Sequence, residues 1–149
     1  MANVSLALYL KNAWIHEHTT SPAEIANLLA IADRDIAQSQ TKGLGPEWSF
    51  DIAYNAALQL AVAALAAAGY QAERQNKHQR TIECLAFTLK LDQADVTFLD
   101  QCRRKRHVAV YDRIGAISDQ EASEMLALAK RLRSHTRDWL KRQHSTLFK

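Results

Sequence analysis

Arg103, Arg104, Lys105, Arg106 and His107 form one unbroken basic run, with Tyr111 and Asp112 just beyond it. On a helix, Arg104, His107 and Tyr111 are spaced i, i+3 and i+7 and share a face, while Arg103, Arg106 and Val110 share the adjacent one. Several guanidinium groups, an imidazole and a phenol then project from little more than one turn. Guanidinium forks match phosphate oxygens, and an imidazole near its ordinary pKa of ~6.5 can donate or accept a proton. The same spacing also serves a solvated charged face with the tyrosine half in the core. Spacing alone leaves both readings open.

The stretch Arg104-Lys105-Arg106-His107-Val108-Ala109-Val110-Tyr111-Asp112 resembles a variant signature of the HEPN superfamily (higher eukaryotes and prokaryotes nucleotide-binding). In that variant an Arg-Lys-Arg-Asn run precedes a Tyr-Asp pair; Arg106 takes the place of the motif arginine and His107 the polar slot. The alanine-rich stretch from Ala56 to Tyr70, followed by His78, is similar to the family's alanine-rich helix and subsequent histidine. The likeness covers about residues 20–142. It implies a helical bundle that forms a homodimer, in which Arg and His from two subunits promote attack of a ribose 2′-hydroxyl on the adjacent phosphate without metal or other cofactor.

The resemblance places Arg106, His107 and Tyr111 at catalytic positions and Arg103, Arg104, Lys105, Asp112 and His78 at binding ones. Tyr111 departs from the pattern, because active members keep histidine there and a phenol with a pKa of ~10 is a poor base at neutral pH. The implied activity is RNA or nucleotide binding with a degenerate or altered metal-independent endoribonuclease. The implied setting is a toxin–antitoxin or defence system with a cognate antitoxin-type partner, and not a DNA sequence reader. The rival reading is a non-catalytic protein–protein module whose basic face is structural. Arg106 on a carboxylate such as Asp100 or Asp112 favours the rival; an open basic pocket of phosphate size favours the first.

Other chemistry-bearing residues are less organised. His16 and His18, read on a helix, point about 200° apart and do not converge on a metal. His78, His135 and His144 have no ligand-like partners in the sequence, so no metal site is expected. Gly43-Leu44-Gly45 is followed by Pro46 with no strand before it, which makes a loop and not a nucleotide fingerprint.

The elements that must position these residues read as helices. Leu6, Leu10, Ala13 and Trp14 predict a first helix from about Val4 to His16. Ser21-Pro22-Ala23-Glu24 is a start signal, with Ser21 capping, Pro22 in the first turn and Glu24 closing a capping box. The second helix then runs to about Gln40. The third, from about Glu47 to Ala68, shows Phe50, Tyr54, Ala57, Leu58, Ala61 and Leu65 on one face, and Gly69 sits where a helix ends. Ile82, Leu85, Ala86 and Leu89 carry a shorter helix, and another runs from about Asp92 to near Gly115. Ser118 and Glu121 open the last helix with a second capping box. Ala122, Met125, Leu126, Ala129, Leu132, Thr136, Trp139 and Leu140 face its core, and Lys130, Arg133, Arg137 and Lys141 lie outside. No strand is predicted, and short connections favour an antiparallel up-and-down all-α bundle of about five helices.

Composition fits one domain over residues 1–149. Apolar residues make up 48% and charged residues 23%, and only four Gly and two Pro are present. The two cysteines, Cys84 and Cys102, cannot build a disulfide framework and read as buried thiols of a cytoplasmic protein. Neither a signal peptide nor an apolar run of the ~20 residues that span a bilayer is apparent, so no membrane association is expected. The net charge of +3 is divided unevenly, −3 over residues 1–75 and +6 over residues 76–149. A basic half of this size can attract phosphate.

Overall fold

The computed structural model describes residues 5–108 and 116–148, with the backbone alone for 107 and 108. Helix accounts for 71% of these residues and strand for 4%. The chain order is α1 (Leu6–Lys11), β1 (Ile15–Glu17), α2 (Pro22–Ser39), α3 (Pro46–Ala67), β2 (Tyr70–Ala72), α4 (Lys77–Glu83), α5 (Leu85–Thr88), α6 (Gln93–Val108) and α7 (Asp119–Gln143).

α3 is the axis of the bundle, packed between α2 and α7. Its sequence predicts one apolar face, but Ala56, Ala63, Ala64, Ala66 and Ala67 are buried beside Phe50, Tyr54, Leu58 and Leu65. Alanine lets helix axes approach closely on several sides, so a helix with weak polarity between its faces becomes the centre. At 22 residues α3 is also long and apolar enough to span a membrane, contrary to the expectation from the sequence. Its apolar stretch is 72% buried against the other helices, the place of a core helix.

Both predicted starts are present, with one difference. Ser118 accepts from the Glu121 N–H at 3.1 Å and Glu121 accepts back from the Ser118 N–H at 3.1 Å, a complete capping box. Ser21 likewise accepts from the Glu24 N–H at 3.1 Å. The Glu24 carboxylate, however, does not close the box; it is drawn away to Thr20 and His18.

The N-terminal segment departs most from expectation. The predicted helix to His16 stops at Lys11, Ala13 takes a φ of +59°, and the chain then forms a strand. Ile15 pairs with Ala72 and Glu17 with Tyr70 in an antiparallel two-stranded sheet. Gly69, at φ +99°, turns the chain out of α3 into this pairing. Three-residue strands joined across more than fifty positions leave no local alternation to read. Tyr9, Ile15, Leu65, Ala72 and Cys84 form a second small core there. The Arg80 guanidinium lies 4.1 Å from the Trp14 ring centre, and the Tyr9 hydroxyl donates to Glu83 at 2.7 Å, tying α1 to α4.

Smaller differences follow from packing. The short helix around Ile82 is divided at Cys84 into α4 and α5. On α7, Leu128 is buried while Leu126 and Trp139 are only partly covered. The basic side of α7 is partly tied to α2, with Arg133 and Arg137 paired to Asp33 and Lys130 donating to Gln40 at 3.1 Å. Cys84 and Cys102 are both buried, which pushes each thiol up to about 12.

Candidate anion-facing site on the basic helix

α6 turns Val96, Leu99 and Cys102 into the core, so the basic run leaves it on the half-buried and exposed sides. Three of its cations are satisfied by carboxylates. Arg103 Nε donates to Asp100 Oδ1 at 2.8 Å, one turn back, and Arg104 Nη2 lies 3.2 Å from the other oxygen of the same carboxylate. Lys105 crosses to Glu121 at the start of α7, whose other carboxylate oxygen serves the capping box. Arg104 and Lys105 are solvent-exposed, and pairs of this kind contribute little to folding.

Arg106 is placed differently. It is half-buried, and its guanidinium carbon lies 5.2 Å from the centre of the Tyr54 ring, a cation–π contact to the middle of α3. No carboxylate among the described residues pairs with it; Asp100 is engaged by Arg103 and Arg104. Tyr54 is itself buried, at 1% exposure, and its hydroxyl has no hydrogen-bond partner among the described residues. Burial pushes this phenol up to about 12, against the pull of Arg106 and Arg103, so it stays a neutral donor. Leaving such a hydroxyl unpaired in a folded chain costs ~1–3 kcal/mol.

His78 joins the same corner from α4, which packs on α6. Its pKa is lowered, by partial burial first and then by the charges of Arg106, Lys77 and Arg103. The shift favours the uncharged imidazole over the charged one.

Of the residues singled out in the sequence, Arg103, Arg106 and His78 are brought into one electrostatic neighbourhood, while Arg104 and Lys105 are directed to Asp100 and Glu121. His107 lies on the α6 backbone with its side chain outside the description, and Tyr111 and Asp112 lie outside the described residues. Tyr54 and Lys77 are additions. Tyr54 carries the helical spacing of a core residue, and nothing in that spacing marks its hydroxyl as unpaired.

A second feature opens from His78. A cleft of about 320 Å³ is bounded by α2, α3, the strand pair and α4, and both His18 and His78 line it. His18 Nε2 lies 2.8 Å from Glu24 Oε1, and Thr20 donates to the same oxygen at 2.6 Å. These bonds, Thr20 first and then His18, hold the Glu24 carboxyl below the usual range. The helix assumed for His16 and His18 is absent; His16 is exposed on β1 and His18 turns to Glu24. Among the described residues no three His, Cys, Asp or Glu side chains group as metal ligands. Comparisons with protein-family models, curated proteins and solved structures found no match to this chain.

Proposed function

We propose that this chain is a HEPN-like helical protein that binds the phosphate groups of RNA or a nucleotide at the corner formed by Arg106, Tyr54 and His78. The observation that carries this reading is Arg106 itself. It is the member of the basic run whose guanidinium, among the described residues, meets an aromatic ring in place of a carboxylate, on a tyrosine whose buried hydroxyl has no partner among those residues. A phosphate placed there accepts charge-assisted bonds from Arg106 and a neutral one from Tyr54. The excess of basic residues in the second half of the chain supplies the long-range attraction.

Turnover is a separate matter. Attack by a ribose 2′-hydroxyl needs a base, and Tyr111 as a phenol supplies none at neutral pH. The reading is therefore phosphate binding with ribonuclease activity degenerate or altered. Tyr111→His in the full chain is expected to raise metal-independent cleavage of single-stranded RNA. The proposed homodimer, the antitoxin-type partner and a toxin–antitoxin or defence setting rest on the resemblance alone.

The decisive experiment is RNA binding by Arg106→Ala and Arg106→Met, followed by fluorescence anisotropy. The expected loss is about ten- to a hundredfold, the range of a hydrogen bond to a charged group. Circular dichroism and thermal midpoint should stay close to the parent, because the cation–π contact is a small part of the fold. Binding should also weaken steeply with salt as phosphates give up counterions. Unchanged affinity in both variants overturns the reading. The rival protein–protein module has its own support in Asp100 and Glu121, which neutralise Arg103, Arg104 and Lys105 within the fold. Absence of any RNA or nucleotide binding by the parent chain would establish it as the better account.

A further inference from the structure

We propose that a second cleft, formed where the end of α5 and the turn after it meet the C-terminal half of α7, docks an acidic segment of a protein partner. Carboxylates of the segment meet Lys90 and Arg142, and an apolar side chain lies against Leu89 and Trp139. The site is separate from the Arg106 corner, because Arg106 stands near the far end of α6, about 20 Å along that helix from its start beside Lys90. The inference therefore does not depend on the phosphate-binding reading.

Uncompensated charge marks the surface. On α7, Arg133 and Arg137 are held by Asp33, and Arg131 by Asp95. Arg142, by contrast, has no hydrogen bond, ion pair or ring contact among the described residues, and neither has Lys90. The last-turn position of Arg142 complements the α7 dipole, which favours the charge there without taking up its donors. Both cations line this cleft of about 390 Å³, together with His135, Gln143 and His144, and no carboxylate among the described residues is in its wall. Asp92 and Asp138, their acidic neighbours in sequence, lie outside that lining.

The rest of the lining selects the kind of anion. Leu89 is buried, and Trp139 is half-buried, packed on the core and 4.6 Å from the His144 ring at 59°. A nucleic-acid base needs an open ring face to stack on, and this indole already has a ring for a neighbour. An aliphatic side chain needs only apolar surface, which Leu89 and Trp139 supply. The two permanent cations stand on separate elements, so each meets its own carboxylate, as side chains spaced along a peptide present them. The Arg142 fork can take both oxygens of one such group. Gln143 adds a carboxamide able to bond the peptide backbone. Trp and Arg are also the residues on which protein interfaces most depend. Lys90 is exposed on a left-handed backbone at φ +53°, a conformation that glycine holds at lower cost. A lysine there works against folding, while its ammonium faces the cleft's open side ready to bind.

The test uses a blocked, labelled peptide repeating Glu-Leu-Glu, its Gln-Leu-Gln and Glu-Ser-Glu counterparts, and single-stranded RNA, followed by fluorescence anisotropy on the full chain. The acidic peptide is expected to bind at least about tenfold more tightly than the glutamine peptide, and several-fold more tightly than the serine one. Lys90→Gly should weaken its binding about three- to tenfold while the thermal midpoint holds or rises, because glycine relieves the left-handed backbone. Arg142→Gln, at an exposed position of α7, should weaken it by a similar factor with helicity unchanged. Arg106→Ala should leave peptide affinity as it is. An acidic peptide that binds no better than its glutamine counterpart, or whose affinity neither Lys90→Gly nor Arg142→Gln changes, overturns the proposal. Loss of RNA affinity in those two variants with peptide affinity untouched assigns the cleft to nucleic acid and also overturns it.

Discussion

Among the described residues the buried Tyr54 hydroxyl has no hydrogen-bond partner, and the guanidinium over its ring has no carboxylate. The same two observations have opposite consequences for folding and for binding, which makes Tyr54→Phe informative. Removing an unpaired buried hydroxyl relieves part of a ~1–3 kcal/mol cost, so the variant should be as stable as the parent or up to ~1 kcal/mol more so in urea unfolding. RNA affinity should nevertheless fall several-fold, since the neutral donor is gone. Unchanged affinity would remove Tyr54 from the site. His78 adds a pH signature. Its lowered pKa means that the folded chain resists the proton that the unfolded chain accepts near its ordinary value of ~6.5. Its contribution to stability is therefore complete above that value and is lost as pH falls from there toward the folded pKa. As pH falls below its ordinary value and through its lowered one it gains a charge that attracts phosphate, so RNA binding should strengthen as pH falls through that window, and His78→Gln should flatten that rise. At this scale Arg106 and His78 could be named from sequence through resemblance to a family pattern. Tyr54 could not, because helical spacing reports which side a residue occupies and not whether its hydroxyl finds a partner.

The elements that frame the corner divide by the range of the interactions that define them. α2, α3, α6 and α7 are set by local capping and periodic apolar residues, and their starts were readable to within a residue or two. The strand pair is set by distant partners: Ile15 pairs with Ala72 and is buried with Tyr9, Leu65 and Cys84, and the chain turns toward that pairing at Gly69. Gly69 has open space where a side chain would sit, so Gly69→Ala meets no clash and its cost is purely the left-handed backbone at φ +99°. We expect a loss of ~1–2 kcal/mol, a fall of several degrees in thermal midpoint, with helicity retained. If the variant is as stable as the parent, the turn does not hold the strands in register. Glu24 shows how one unread pairing relocates chemistry. The box that Ser21 begins is left open, and the carboxylate goes to His18 and Thr20, which places a fixed imidazole in the wall of the cleft. A four-residue capping signal carries no information about a histidine just past the end of β1.

For the molecule as a whole, the resemblance places the proposed homodimer on the helix that carries the basic run, and the described part of α6 has a surface of defined character. The apolar side of α6 is spent on its own core, and Thr97, Gln101, Arg104 and Lys105 face solvent. The one large hydrophobic residue that is strongly exposed among the described residues, Trp48, lies on α3. A twofold axis brings the same patch of both subunits together, so Arg104 and Lys105 would approach their own copies, with Asp100 and Glu121 offsetting only part of the charge. Such an interface is weak without a counter-anion and is strengthened by anything that screens or neutralises the cations. Sedimentation equilibrium should therefore give a mass that rises with concentration from 16.8 kDa toward twice that value, with the transition moved to lower concentration by added salt and, more strongly, by RNA. Arg104→Glu with Lys105→Glu should remove the dependence on RNA while leaving helicity intact. A mass of 16.8 kDa at every concentration, with and without RNA, would exclude the dimer and leave the Arg106 corner to act within one chain.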